Sequence, residues 1–131
     1  MGVLEHEGLT GEIIGAAIEV HRDLGPGFLE SVYENALCIE LQRRGVPYER
    51  QVEVPVLYHG EEVGLHRLDL LVSERIVVEL KAVKRFDDIH FVVVRSYLRA
   101  AQLDHGLLFN FAGITLDTKR VTSRWDARSI P

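Results

Sequence analysis

Three residues in the middle of the chain have the types and spacing for phosphoryl chemistry: Asp69, Glu79 and Lys81. They lie in Arg67-Leu68-Asp69-Leu70-Leu71-Val72-Ser73-Glu74-Arg75-Ile76-Val77-Val78-Glu79-Leu80-Lys81, which reads as two short strands joined by a polar turn at Ser73-Glu74. Strand side chains alternate, so Glu79 and Lys81 leave one face while Ile76, Val78 and Leu80 leave the other. A carboxylate inside an apolar strand is costly unless it is paired, hydrated or bound to a metal. Two carboxylates and a backbone carbonyl, that of Leu80, offer hard oxygen ligands to Mg²⁺ or Mn²⁺. Such an ion polarises a scissile phosphate and acidifies a bound water. Lys81 beside it would orient that water or stabilise transition-state charge. The blander alternative is an Asp, a Glu and a Lys in a modest salt bridge on an exposed sheet face. Glu-x-Lys alone is too common to decide between them.

A second constellation is Gly27-Phe28-Leu29-Glu30-Ser31-Val32-Tyr33. Glu30 and Tyr33 are neighbours on one helical face. Glu30 would serve as a further metal or water ligand, and Tyr33 as a phosphate contact or a brace for a carboxylate. Against this, a first-turn Glu simply complements the helix dipole, and a Tyr at such a position is more often core. His21, near the end of the first helix, would reach phosphate or the Glu30 region; an interaction with that helix's own C-terminus is the plainer reading. Arg43, Arg44, Arg50, Lys84, Arg85, Arg95 and Arg99 are the candidate contacts to a phosphate backbone.

The elements that must position these groups can be read from periodicity. Thr10 is a plausible N-cap for a helix with Ile13, Ile14, Ala17, Ile18 and Leu24 near one face, ended by Gly25-Pro26-Gly27. A second helix starts around Phe28 to Glu30 and closes at Arg43-Arg44-Gly45. Tyr48 to Val56 alternates as a strand, with Pro55 placing it at or near an edge. His59-Gly60-Glu61 turns into a strand from Glu62 to Val72, and the hairpin above follows. Phe86-Asp87-Asp88 opens a helix carrying Ile89, Val92, Val93, Ser96, Tyr97 and Ala100 along one side, although the β-branched run from Phe91 to Val94 would also suit a strand. Leu107 to Phe111 is a buried strand, Ile114 to Val121 a last one, and Trp125 to Pro131 a tail. The order ααβββαββ describes a mixed sheet flanked by helices, of α/β (α+β) class.

Length bounds the rest. A chain of 131 residues, 47% hydrophobic and 27% charged, fits one globular domain, 1–131, with its core at about 10–122 and a tail at 123–131. No apolar run reaches the ~20 residues that span a bilayer, so no membrane partner is expected. The N-terminus is too acidic for a signal peptide. Cys38 stands alone, which fits a reducing compartment and a cytoplasmic protein. The net charge of −5 lowers the expectation of nucleic-acid binding without removing it, since a basic patch can sit on an acidic protein.

These residues also carry a resemblance. The run Gly25-Pro26-Gly27-Phe28-Leu29-Glu30-Ser31-Val32-Tyr33-Glu34, then Asp69, Glu79-Leu80-Lys81, Tyr97-Leu98 and Gly106-Leu107-Leu108-Phe109-Asn110-Phe111, resembles the GxxExxY protein family of the PD-(D/E)XK nuclease superfamily. The resemblance implies a restriction-endonuclease-like core and a metal-dependent nuclease using Mg²⁺ or Mn²⁺. It implies nucleic acid, DNA foremost, as partner, with a homodimer left open. Asp69, Glu79 and Lys81 match the catalytic positions, Glu30 a helix-borne acid, and Tyr97 a supporting residue. Leu68 stands where a proline is nominal, and Val93 where relatives often carry Gln, one turn before Tyr97. His90, one helical turn before Val93, keeps a polar group on the neighbouring surface or is simply a solvated helix histidine. An inactive relative serving as an interaction or regulatory module is the alternative from another class.

Overall fold

A computed structural model describes residues 7–124. Its elements are α1 (Glu7–Leu24), α2 (Glu30–Arg43), β1 (Tyr48–Tyr58), β2 (Glu61–Val72), β3 (Ile76–Lys81), α3 (Asp88–Ala101), β4 (His105–Asn110) and β5 (Asp117–Thr122). The expected order is therefore present. The five strands form one sheet in sequence order, antiparallel except where β3 runs parallel to β4. That parallel step is the one that needs a crossover, and α3 supplies it. β1 is an edge strand, as Pro55 indicates.

Both hairpin turns have two consecutive residues at positive φ: His59 (50°) with Gly60 (78°), and Ser73 (53°) with Glu74 (58°). This is the mirror-image turn whose twist matches paired strands. The second is closed by Arg75 N–H donating to the Val72 carbonyl at 3.0 Å.

Two hydrophobic layers sandwich the sheet. Ile13, Ala16, Ala17 and Val20 of α1 and Tyr33, Leu37 and Leu41 of α2 pack on Leu70, Val72, Ile76, Val78, Leu80, Leu107 and Phe109. On the other face Val94 and Leu98 of α3 pack on Leu68, Val77, Leu108 and Val121. Leu68 and Leu70 thus serve opposite layers although strict alternation would put them together. The same slip occurs across the pair in β1, where Tyr48 packs with the α1–α2 layer but Val52 and Val54 with α3. Gln51, at φ 51°, sits at the slip, flanked by the pairs Arg50–Leu70 and Val52–Leu68 and so opposite Asp69. Continuous alternation from Tyr48 to Val56 is corrected accordingly.

Other expectations shift by smaller amounts. Helix α1 begins at Glu7, so Thr10 is not its N-cap; its hydroxyl donates to the Glu7 carbonyl at 3.0 Å. Ile18 is on the exposed side of α1. In α3 the core face is Val94 and Leu98, and Ile89 and Val92 are exposed, because the sheet lies under a different stripe of the helix. Strand β5 starts at Asp117; Ile114 is 92% exposed in the preceding bend. Ser123, placed by its sequence in the tail, is tied to Asp104 by its backbone N–H (3.1 Å) and its hydroxyl (3.2 Å). Trp125 to Pro131 lie outside the described residues.

Candidate active site

Ladder pairing between β2 and β3 stops at Leu70–Val78, and the two strands separate beyond it. The backbone groups freed there find carboxylates. Asp69 N–H donates to Glu79 Oε1 at 2.9 Å, and Leu80 N–H donates to Asp69 Oδ2 at 3.0 Å. Each acid thus replaces a carbonyl that the ladder would have supplied. One step further along β3, Ala82 N–H donates to Glu30 Oε2 at 3.3 Å. Backbone groups of alternate residues share a strand edge, so the Leu80 carbonyl lies on the edge between the amide held by Asp69 and the amide held by Glu30.

Glu79 is 4% exposed. Burial, then the charge of Asp69, pushes its carboxyl up to about 8. Burial also raises Asp69, partly offset by its bond from Leu80 N–H. Two acids in contact cannot both ionise cheaply in a poorly solvated site, and the burden falls more heavily on the deeper-lying Glu79. Lys81 lowers both carboxyls by its charge. On the α3 side Tyr97 is half-buried and packs edge-on against His66 (centroids 4.6 Å apart). Its phenol is raised by burial and then by the charges of Glu79 and Asp69, which places it beside them.

On the α2 side Glu34 was not singled out by sequence, yet it is buried and close enough to raise Asp69. Its Oε2 accepts from Arg50 Nη2 (2.8 Å) and Nε (3.2 Å), and its Oε1 from Gln51 Nε2 (3.0 Å). The signal was available: Glu34 lies one helical turn beyond Glu30, on the same face.

Asp69, Glu79, Lys81 and Tyr97 are thus brought together, with the Leu80 carbonyl at the same edge. Glu30 stands at the end of β3, and among the described residues no three His, Cys, Asp or Glu side chains form a ready metal cluster. Three supporting residues turn out to hold backbone instead. Tyr33 is fully buried; its hydroxyl donates to the Gly25 carbonyl (2.7 Å) and accepts from Phe28 N–H (3.1 Å). Its ring stacks on Phe111, with centroids 4.5 Å apart. It therefore shapes the loop leading into α2 and braces neither phosphate nor carboxylate. His21 Nε2 pairs with the Gly113 carbonyl at 2.9 Å, tying α1 to the loop after β4. His90 Nδ1 accepts the Asp87 N–H at 2.9 Å, capping α3. Each correction has one cause: a polar ring met an orphan backbone group before it met the site.

The donor set suits a hard dication. Burial raises both carboxyls, Glu79 further by the charge of the half-buried Asp69, and two positive charges there would favour the ionised form of each.

Comparison with known proteins bears on the family and the fold. The family model of the PD-(D/E)XK nuclease superfamily matches residues 7–121. In fold the chain is similar to the crystal structure of SSO0001, with a TM-score of 0.57 over 97% of this chain at 16% sequence identity; it spans 64% of that protein's length. No curated protein matches it. A match that runs from the first described helix into the last strand, and takes in the acid pair and the lysine, settles membership: the chain belongs to the PD-(D/E)XK nuclease superfamily.

Proposed function

We propose that the protein is a divalent-metal-dependent nuclease of the GxxExxY branch that hydrolyses phosphodiester bonds of DNA. The observation that carries this is the Asp69–Glu79 pair, built where β2 and β3 part, with Lys81 two residues on. Asp69, Glu79 and the Leu80 carbonyl would hold Mg²⁺ or Mn²⁺, which when bound activates water and neutralises phosphate charge. The chain's own residues do the rest. Lys81 presents a cation to the non-bridging oxygens and restrains the attacking water. Tyr97 and His66 wall the α3 side and limit solvent around the acids. Glu30, fixed by the Ala82 amide, accepts hydrogen bonds from water at the far side of the Leu80 carbonyl. Arg50 pairs with Glu34 and offsets part of the charge by which Glu34 raises Asp69.

The test is cleavage of single-stranded, duplex and branched DNA, and of RNA, at low salt with Mg²⁺ or Mn²⁺. DNA cleavage abolished by EDTA and by Asp69→Asn is expected. Cleavage of RNA alone would overturn the substrate, and cleavage of neither would overturn the activity.

A further inference from the structure

The β3–β4 ladder has an unusual end. Phe111 N–H donates to the Lys81 carbonyl at 2.9 Å, the last backbone bond between these two segments. Beyond it, the side chain of Asn110 continues the pairing. Its Nδ2 donates to the Val83 carbonyl at 2.8 Å, and its Oδ1 accepts from Val83 N–H at 3.1 Å and from Ala112 N–H at 3.2 Å. Both halves of one carboxamide thus grip both backbone groups of one residue, as a neighbouring strand would. Asn110 is buried (5% exposed), so the bonds are made away from competing water and are costly to lose. Aspartate could not replace it, for a carboxylate has no N–H for the Val83 carbonyl.

What this clamp holds is the segment leaving the site. Lys81 ends β3, the Ala82 amide holds Glu30, Val83 is gripped, and Lys84 and Arg85 follow as exposed cations. Neither Lys84 nor Arg85 forms an ion pair among the described residues. The two cations are therefore held by a rigid anchor only a few residues from the acid pair, on a protein whose overall charge is −5. A mobile pair of cations would lose conformational entropy on binding; an anchored pair has lost part of it already.

We infer that Asn110 is a positioning residue whose carboxamide fixes the segment Ala82–Arg85, so that Lys84 and Arg85 grip the phosphate backbone of DNA flanking the scissile bond. This rests on the nuclease reading above, and its test separates the two. Full-length protein carrying Asp69→Asn, which leaves DNA uncut, is titrated with a labelled duplex across a salt series. Lys84→Ala with Arg85→Ala, added to that protein, is expected to weaken binding roughly tenfold or more at low salt. It should also flatten the dependence of log K on log salt by nearly two contacts' worth, at ~0.9 per contact. Asn110→Ala and Asn110→Asp should flatten the slope in the same direction with Lys84 and Arg85 still present, which a residue that only stabilises the fold would not do. In the cleaving protein the double change should raise KM and leave kcat nearly unchanged.

An unaltered salt slope in the double variant, or no binding at all, overturns the grip, whether or not the wild type cuts DNA. Binding with the expected slopes alongside absent cleavage overturns the nuclease reading and leaves the grip in place. Should the Asn110 variants fail to fold, amide exchange in the wild type decides the clamp. Val83 N–H is expected to be protected at the level of the β4 amides, and exchange at the rate of an open loop overturns it.

Discussion

Asp69 and Glu79 hold each other's strands in place: the Asp69 amide donates to Glu79 Oε1, and the Leu80 amide, next to Glu79, donates to Asp69 Oδ2. The acids are thus part of the framework as well as of the proposed site. Separating them would strand two backbone amides in a half-buried gap.

The first expectation concerns pH and stability in metal-free buffer. The folded-state carboxyl of Glu79 is raised from 4.5 to about 8, so between those values the folded protein binds the proton that the unfolded chain releases. The contribution of Glu79 to stability is therefore fully present below pH 4.5 and is lost as pH rises through about 8. Glu79→Gln mimics the protonated form, since its Oε1 still accepts from Asp69 N–H and its Nε2 can donate to the Asp69 carboxylate. Thermal melts in EDTA should coincide near pH 5 for the two proteins. At pH 9 the Gln variant should melt several degrees higher, a difference on the order of 1–3 kcal/mol. A lower melting temperature at pH 9 would make Glu79 a structural ion-pair partner.

Adding Mn²⁺ or Mg²⁺ should reverse that loss. A dication that binds only the folded state at a hundred times its dissociation constant adds about 2.7 kcal/mol. The wild-type melting temperature at pH 8 to 9 is expected to rise with metal, and Asp69→Asn to abolish the rise. Equal melting curves for wild type with and without metal would leave the acid pair without its ion.

Activity should depend unequally on the residues around the pair. Lys81→Ala and Asp69→Asn are each expected to cost about a hundredfold or more in kcat, the range typical of groups that stabilise developing charge. Val93 is half-buried one turn before Tyr97, so Val93→Gln brings an amide to the same side of the site and should raise the rate. Steady-state cleavage of one fixed DNA substrate checks all three; full activity of Lys81→Ala would remove the lysine from the mechanism.

Tyr33→Phe separates support from chemistry. The ring stack on Phe111 survives, but the Gly25 carbonyl and the Phe28 amide lose their shared hydroxyl. A destabilisation of about 1–3 kcal/mol is expected from the bonds lost. Denaturant unfolding measures it. A fall in kcat much larger than that of Glu30→Gln would return Tyr33 to direct contact with substrate.

How much of this the sequence carries depends on the range of each interaction. Element order was legible because periodicity and turn chemistry act within a few residues, as the pairs His59-Gly60 and Ser73-Glu74 illustrate. Asp69, Glu79 and Lys81 were legible because a single hairpin joins them. His21 was not: its partner, the Gly113 carbonyl, is 92 positions away and is a backbone group, for which no residue type gives a signal. The same holds for His90 and Tyr33, whose polar atoms are used on nearby amides and carbonyls. Glu34 shows the opposite case, a site neighbour visible in the helical spacing but masked by the stronger motif in front of it. The face change at Gln51 and Asp69 had no signature at all, since Arg50-Gln51-Val52 alternates normally as text.

That face change has a consequence for how the molecule comes apart. Because the alternation of β1 and β2 between the two layers slips there, the acid pair sits at the seam between two cores of unequal size. The α1–α2 side is built on two helices with many fully buried residues, whereas α3 contributes Val94 and Leu98 as buried residues and Phe91 and Tyr97 as half-buried ones. Breathing should therefore begin at α3, with its amides exchanging at lower opening free energy than those of α1, α2 or β3. Each such excursion lifts Tyr97 away from Glu79 and Asp69 and lets water in from that side, while the hairpin that carries the acids stays paired beneath. The protein's softest motion is then also the ventilation of its site.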